Sequence, residues 1–281
     1  MSFTHSSHLF RLLWVAAVLL LSTVVLPRAL GQVPLLRTPV RSEASSAPQD
    51  KSDNRERLPA KTGPSLRSTA CCSDYWILRS HACPQGASGG CVCCQFEYIF
   101  FGSACGGRRI DPQAFRAWLK PGVAVCIVVH GSNFPWQTIV EDSRHMLRWI
   151  RGAAPNRSLQ IVFFSWPTGR IVPLFAQIQV ARLGRRSAYN GIYLAQLISQ
   201  IPPESPVSLL GHSHGARTVA AALHLLGGGS LRGYRLAGDP APRRKIRAVL
   251  SAAALDHHWL NPGQRYGCAL CRADFVVNIR N

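Results

Sequence analysis

The hydrophobic positions of this chain fall into short runs of two periods. Val123–Val129, Gln160–Ser165, Val207–Leu210 and Ile246–Leu255 are nearly continuous apolar runs, the pattern of strands buried on both faces of a parallel sheet. Between them the period changes to that of a helix. Thr138–Arg151 aligns Ile139, Met146, Leu147 and Ile150, with Pro155 beyond its end, and Gln177–Gln200 aligns Tyr189, Ile192, Tyr193 and Leu197 before Pro202-Pro203. A third helical stretch carries Val219, Ala222, Leu223 and Leu226 and ends at Gly227-Gly228-Gly229. Alternation of strand and helix predicts an α/β fold, a mainly parallel sheet with crossover helices that binds ligands beyond the carboxyl ends of its strands. Upstream, Tyr75–Leu78 and Phe96–Phe101 are expected to pair as an antiparallel hairpin at the sheet edge, and Phe275–Ile279 reads as a late strand.

The first seventy residues follow neither period. Leu12–Leu26 is an uncharged, mostly apolar run of 15 residues, followed by Pro27-Arg28-Ala29-Leu30-Gly31. That length is short for a spanning helix and right for the core of a signal peptide, with Ala29 and Gly31 at the positions a signal peptidase reads. Residues 1–31 are therefore expected to direct export, cleaved after Gly31 or kept as a membrane anchor through residues 12–26. Residues 32–70, rich in Pro, Ser and charge, read as a disordered linker. Residues 71–281 remain as the folded domain.

Composition adds charge and cysteines. With 32 Lys and Arg against 13 Asp and Glu, the net charge is +19, enough to attract an anionic surface or lipid. The arginines lie in scattered pairs, Arg108-Arg109, Arg185-Arg186 and Arg243-Arg244, without a reader module, so no specific nucleic-acid site is expected. Seven of the ten cysteines, Cys71, Cys72, Cys83, Cys91, Cys93, Cys94 and Cys105, crowd residues 71–105. In an exported protein this density points to disulfides stapling the hairpin. The alternatives are free thiols and a zinc site on Cys83, Cys91, Cys93 and Cys94, whose spacing lacks the paired C-x-x-C of a zinc ribbon. Cys268 and Cys271 are spaced C-x-x-C and are expected to form a disulfide or two packed thiols, and mid-strand Cys126 an inert core residue.

Chemistry concentrates at Gly211-His212-Ser213-His214-Gly215, between the run ending at Leu210 and the helical stretch after it. A serine between strand and helix on so sharp a turn needs glycine two positions to either side, where a side chain would strike neighbouring chain. Its hydroxyl is lifted above the strand end at a helix N-terminus, which favours developing negative charge. This motif resembles the nucleophile elbow of the α/β hydrolases. Phe163-Phe164-Ser165-Trp166-Pro167 is similar to a signature in bacterial α/β hydrolases of unassigned substrate.

The resemblance, covering about Tyr75–Asn281, implies an α/β-hydrolase fold preceded by the Cys-rich hairpin. It implies Ser213 as nucleophile toward a small-molecule carboxylic ester or related acyl substrate, without metal or organic cofactor. The turn His130-Gly131-Ser132 after the first central run would supply the Ser132 backbone N–H as one oxyanion donor, and the His214 N–H the other. His130 itself is expected to pack under the turn. In that family an acid and then a histidine follow later strands, whereas this chain reaches Asn281 soon after Phe275–Ile279. Asp256 is the candidate acid and His258, beside His257, the candidate base. A chain that lacks the last strands and a degenerate, non-catalytic binding member of the fold both fit that departure. Oligomeric state leaves no mark on the pattern.

Overall fold

The computed structural model describes residues 74–84, 95–102, 106–169, 176–237 and 244–280. The chain divides into a compact unit that includes all of these and a second unit, Val25–Cys71, lying wholly outside them. The signal-peptide and linker expectations therefore fall outside the described residues, as do Cys71, Cys72, Cys91, Cys93, Cys94 and Cys105. Among the described residues no helix is long and apolar enough to cross a membrane.

In chain order the elements are β1 (Tyr75–Arg79), β2 (Glu97–Phe101), β3 (Gly107–Arg109), α1 (Pro112–Trp118), β4 (Ala124–Val129), α2 (Trp136–Ala153) and β5 (Leu159–Ser165). They continue through α3 (Ala176–Ser199), β6 (Val207–His212), α4 (His214–Leu226), β7 (Ile246–Ser251), α5 (Ala269–Arg272) and β8 (Phe275–Ile279). All eight strands form one sheet in the order β3-β2-β1-β5-β4-β6-β7-β8. From β1 to β8 every neighbouring pair is parallel, while β2 runs antiparallel to both β1 and β3. The mainly parallel α/β sheet read from the pattern is thus observed, with the hairpin at its edge and β3 added outside it.

Strand alternation divides the core. Val125, Ile127 and Val129 of β4 face one side, packed with α1, α3 and α4. Cys126 and Val128 face the other, where Leu147 and Ile150 of α2 cover them. Both faces are buried along the central strands because helices lie on both, which is why those strands read as continuous apolar runs.

The crossovers fix where a ligand can sit. From β4 the chain proceeds through α2 to β5 on one side of β4, whereas β6 lies on its other side. Strand order therefore reverses between β4 and β6, and loops leaving the carboxyl ends of those two strands diverge to open a crevice.

Candidate active site

Ser213 stands in that crevice. Its backbone has φ 52° and ψ −121°, a left-handed conformation that L-residues rarely adopt and that persists only when surroundings impose it. Two close approaches impose it. A Cβ at Gly211 would lie 2.6 Å from the Ala216 Cα, and one at Gly215 would lie 2.4 Å from the carbonyl oxygens of both Val129 and His130. Only glycine lets α4 turn directly over the ends of β6 and β4. The turn is further tied by the Ser213 N–H donating to the Ser251 carbonyl at 2.9 Å and the Ala254 N–H donating to the Ser213 carbonyl at 3.2 Å.

The turn after β4 closes on the same place. A Cβ at Gly131 would meet His212 Nδ1 at 2.7 Å and the Ser213 Cβ at 3.3 Å, so the His130-Gly131-Ser132 backbone runs against the serine. Asn133 next to it is left-handed, with φ 66°, and redirects the chain into α2. The Ser132 hydroxyl lies 3.2 Å from His214 Nδ1, linking the two segments whose N–H groups are the candidate oxyanion donors.

His130 is held neutral and immobile. Its Nδ1 donates to the Gly131 carbonyl at 2.7 Å, which leaves Nε2 to accept from the Trp166 N–H and the Ser165 hydroxyl, each at 3.3 Å. The Trp166 indole in turn donates to the His130 carbonyl at 2.9 Å. Burial pushes its pKa down to about 4, against a raising contribution from the Gly131 carbonyl and with His81 and His212 lowering it further. Both nitrogens are engaged, and the ring supports the turn rather than serving as a base. His212 is likewise lowered to about 4 by burial, and His214 is lowered by burial and then by the Arg217 charge. Near pH 7 the imidazoles beside Ser213 are uncharged.

Asp256, His257 and His258 follow β7 on the rim. Asp256 and His257 are exposed and His258 half-buried, with the two imidazole rings 5.1 Å apart. The loop is anchored to the elbow through the Ala254–Ser213 hydrogen bond. Together with Leu250, Asn278 and Arg280, Asp256 and His257 line a cavity of about 380 Å³ beside the end of β8. Ser213 is not one of its lining residues. Thus Ser213, Ser132 and His214 come together, Asp256 and His258 share their rim, and among the described residues no histidine nitrogen hydrogen-bonds the Ser213 hydroxyl.

The chain matches no family model, no curated protein and no solved structure. The site is accordingly read from its own chemistry.

No group of three or more metal-ligating side chains occurs among the described residues. Cys126, Cys268 and Cys271 are free thiols; Cys268 is half-buried and Cys271 exposed, so these two form neither a disulfide nor a packed pair. Burial raises the Cys126 thiol to about 12, which suits an inert core residue. Sequence reasoning missed Asn133 and Ala252, left-handed at 66° and 44°. It also missed His81, which acts on His130 from the end of β1. Each acquires its place through chain distant in sequence, so no local pattern marks it.

Proposed function

We propose that the protein is a serine hydrolase of the α/β-hydrolase type, cleaving a carboxylic ester or related acyl compound. The observation that carries this reading is the left-handed Ser213 between β6 and α4, enclosed by glycines that no other residue can replace. Nothing in folding requires a serine at so strained a position, whereas a nucleophile gains exposure and an adjacent helix N-terminus from it. In this reading Ser213 Oγ attacks the acyl carbon and passes its proton to a base. The Ser132 and His214 N–H groups stabilise the oxyanion, the alcohol departs with a proton, and water then releases the acid from the acyl-serine. His258 takes the base's part and Asp256 the acid's, which requires the loop after β7 to swing His258 toward Ser213. We assign the activity to an exported protein on the strength of the apolar run Leu12–Leu26.

A second reading is favoured by one observation, the lack of a described histidine on the Ser213 hydroxyl: the fold would then be a non-catalytic binding module. A fluorophosphonate probe separates the two. Labelling of the purified chain that disappears in Ser213→Ala and slows at least about 10²-fold in His258→Ala supports the full assignment. Labelling unchanged in Ser213→Ala removes the nucleophile, labelling unchanged in His258→Ala removes the base, and no labelling of folded protein favours the binding module.

A further inference from the structure

Two guanidinium groups meet one indole beside the candidate nucleophile. The Arg217 Cζ lies 4.6 Å from the centre of the Trp259 ring, and the Arg265 Cζ also lies 4.6 Å from it. Arg265 additionally approaches the Tyr266 ring at 5.9 Å, and Arg217 Nε donates a long 3.4 Å bond to the Tyr266 hydroxyl. Each cation is attracted to the aromatic face, but the two repel each other. Among the described residues, no carboxylate forms an ion pair with either. Glu97, which pairs with Arg79 and Arg109, lies on the far side of the sheet order, and Asp256 meets Trp259 through its backbone carbonyl.

The place is connected to the site. Arg217 leaves α4 one turn after Ser213, with its N–H on the Ser213 carbonyl at 3.3 Å. Side chains on a helix tilt toward its N-terminus, here toward the rim, and the Arg217 charge contributes to lowering the His214 imidazole. Space is kept for the group: a Cβ at Gly184 of α3 would lie 2.5 Å from Arg217 Nη1. Trp259 lies on the loop that carries Asp256, His257 and His258, so the cation pair and the candidate base share one segment. Arg265 is exposed and Arg217 half-buried.

We infer that Arg217 and Arg265 form an anion subsite that selects acyl substrates bearing a second, carboxylate group at the far end of the acyl chain. A carboxylate between the two forks would offset the repulsion and gain charge-assisted hydrogen bonds, with its chain running along the rim toward Ser213. This inference rests on the serine-hydrolase reading for the reacting end of the substrate.

The test compares two fluorophosphonate probes of equal tail length, one ending in a carboxylate and one in its methyl ester, over a graded series of lengths. The efficiency of Ser213 labelling is expected to favour the carboxylate probe by roughly tenfold or more at one length. That ratio should fall toward one in Arg265→Gln and Arg217→Gln, and should shrink with added salt. Arg217→Lys, which keeps the charge but loses the fork, should fall between. Labelling of Ser213 by the methyl-ester probe with no carboxylate preference at any length would overturn the subsite and leave the hydrolase reading intact. If neither probe labels, the hydrolase reading fails, and calorimetric titration of a dicarboxylate into the wild-type chain decides the subsite alone. Binding lost in Arg265→Gln supports it, and absence of binding overturns it.

Discussion

Ser213 and its two glycines are the residues whose identity is fixed most sharply by backbone geometry. A methyl at position 215 would have to displace the carbonyl oxygens of Val129 and His130, 2.4 Å away, at the ends of a central strand. Overpacking of this kind costs roughly 1–3 kcal/mol, and backbone atoms cannot rotate aside as a side chain can. Gly215→Ala is therefore expected to lower the urea midpoint without changing the slope, and to abolish probe labelling by moving the His214 N–H. His130 makes stability pH-dependent. Folded, it titrates at about 4 rather than 6.5, so between those values the unfolded chain takes up a proton that the folded chain refuses. Its contribution is complete above pH 6.5 and is lost as pH falls toward 4. Urea midpoints at pH 7 and pH 5 should fall less in His130→Gln than in the wild-type chain, and equal falls would refute the assignment. The glycine requirement was legible because the five-residue motif marks it, although at Gly215 the clash that imposes it comes from the end of β4. Asn133, Ala252 and His81 were not, since their positions depend on where other strands end.

The long helix α3 and the elbow helix α4 meet through glycine. A Cβ at Gly191 would lie 2.4 Å from the Ala221 Cβ and 3.1 Å from the Thr218 carbonyl oxygen, so these helices are as close as their backbones allow. Gly191→Ala is expected to force them apart and cost about 1–3 kcal/mol. Ala221→Gly should restore part of that loss but none of the Thr218 clash, a coupling that a double-mutant cycle in urea measures. Additive effects would show that the two positions do not touch. At this scale the sequence was most readable where burial was greatest. The runs through Ile127, Phe163 and Leu209 sit in strands covered on both faces, and Phe275–Ile279 falls where the pattern put it although it is only partly buried. Two elements escaped notice for physical reasons. Gly107–Arg109 is exposed at all three positions, and it is a strand because it completes hydrogen bonding along β2. Pro112–Trp118 is too short to show a period, and is set instead by Asp111, whose carboxylate accepts from the Gln113 N–H at 2.6 Å at the helix start.

Charge and exposure belong to the molecule as a whole. Against a net charge of +19, the acid Glu97 pairs with two arginines, Arg79 and Arg109. Lys and Arg outnumber Asp and Glu by 32 to 13. In the first turns of α3, Gln177, Ala181 and Arg182 are exposed, as are Ile178 at 61% and Val180 at 44%. Gly184 lies level with Arg217, and α3 and α4 advance together from Gly184 and Arg217 to Gly191 and Ala221, which brings the apolar end of α3 up to the Ser213 rim. An apolar helix end with arginines at its base is the arrangement that docks on anionic lipid, inserting the aliphatic residues while the cations meet headgroups. We expect the full chain to cosediment with phosphatidylglycerol vesicles several-fold more than with phosphatidylcholine vesicles, and less as salt rises. Leu12–Leu26 would itself bind lipid, so the deciding comparison is between full-length chains. Ile178→Asp with Val180→Asp should weaken phosphatidylglycerol binding, and Arg182→Gln with Arg185→Gln should reduce its salt dependence. If neither pair changes binding, α3 does not touch the membrane and its apolar end faces water for another reason. If both do, the rim that carries Ser213 is presented to the surface from which an acyl substrate would be drawn.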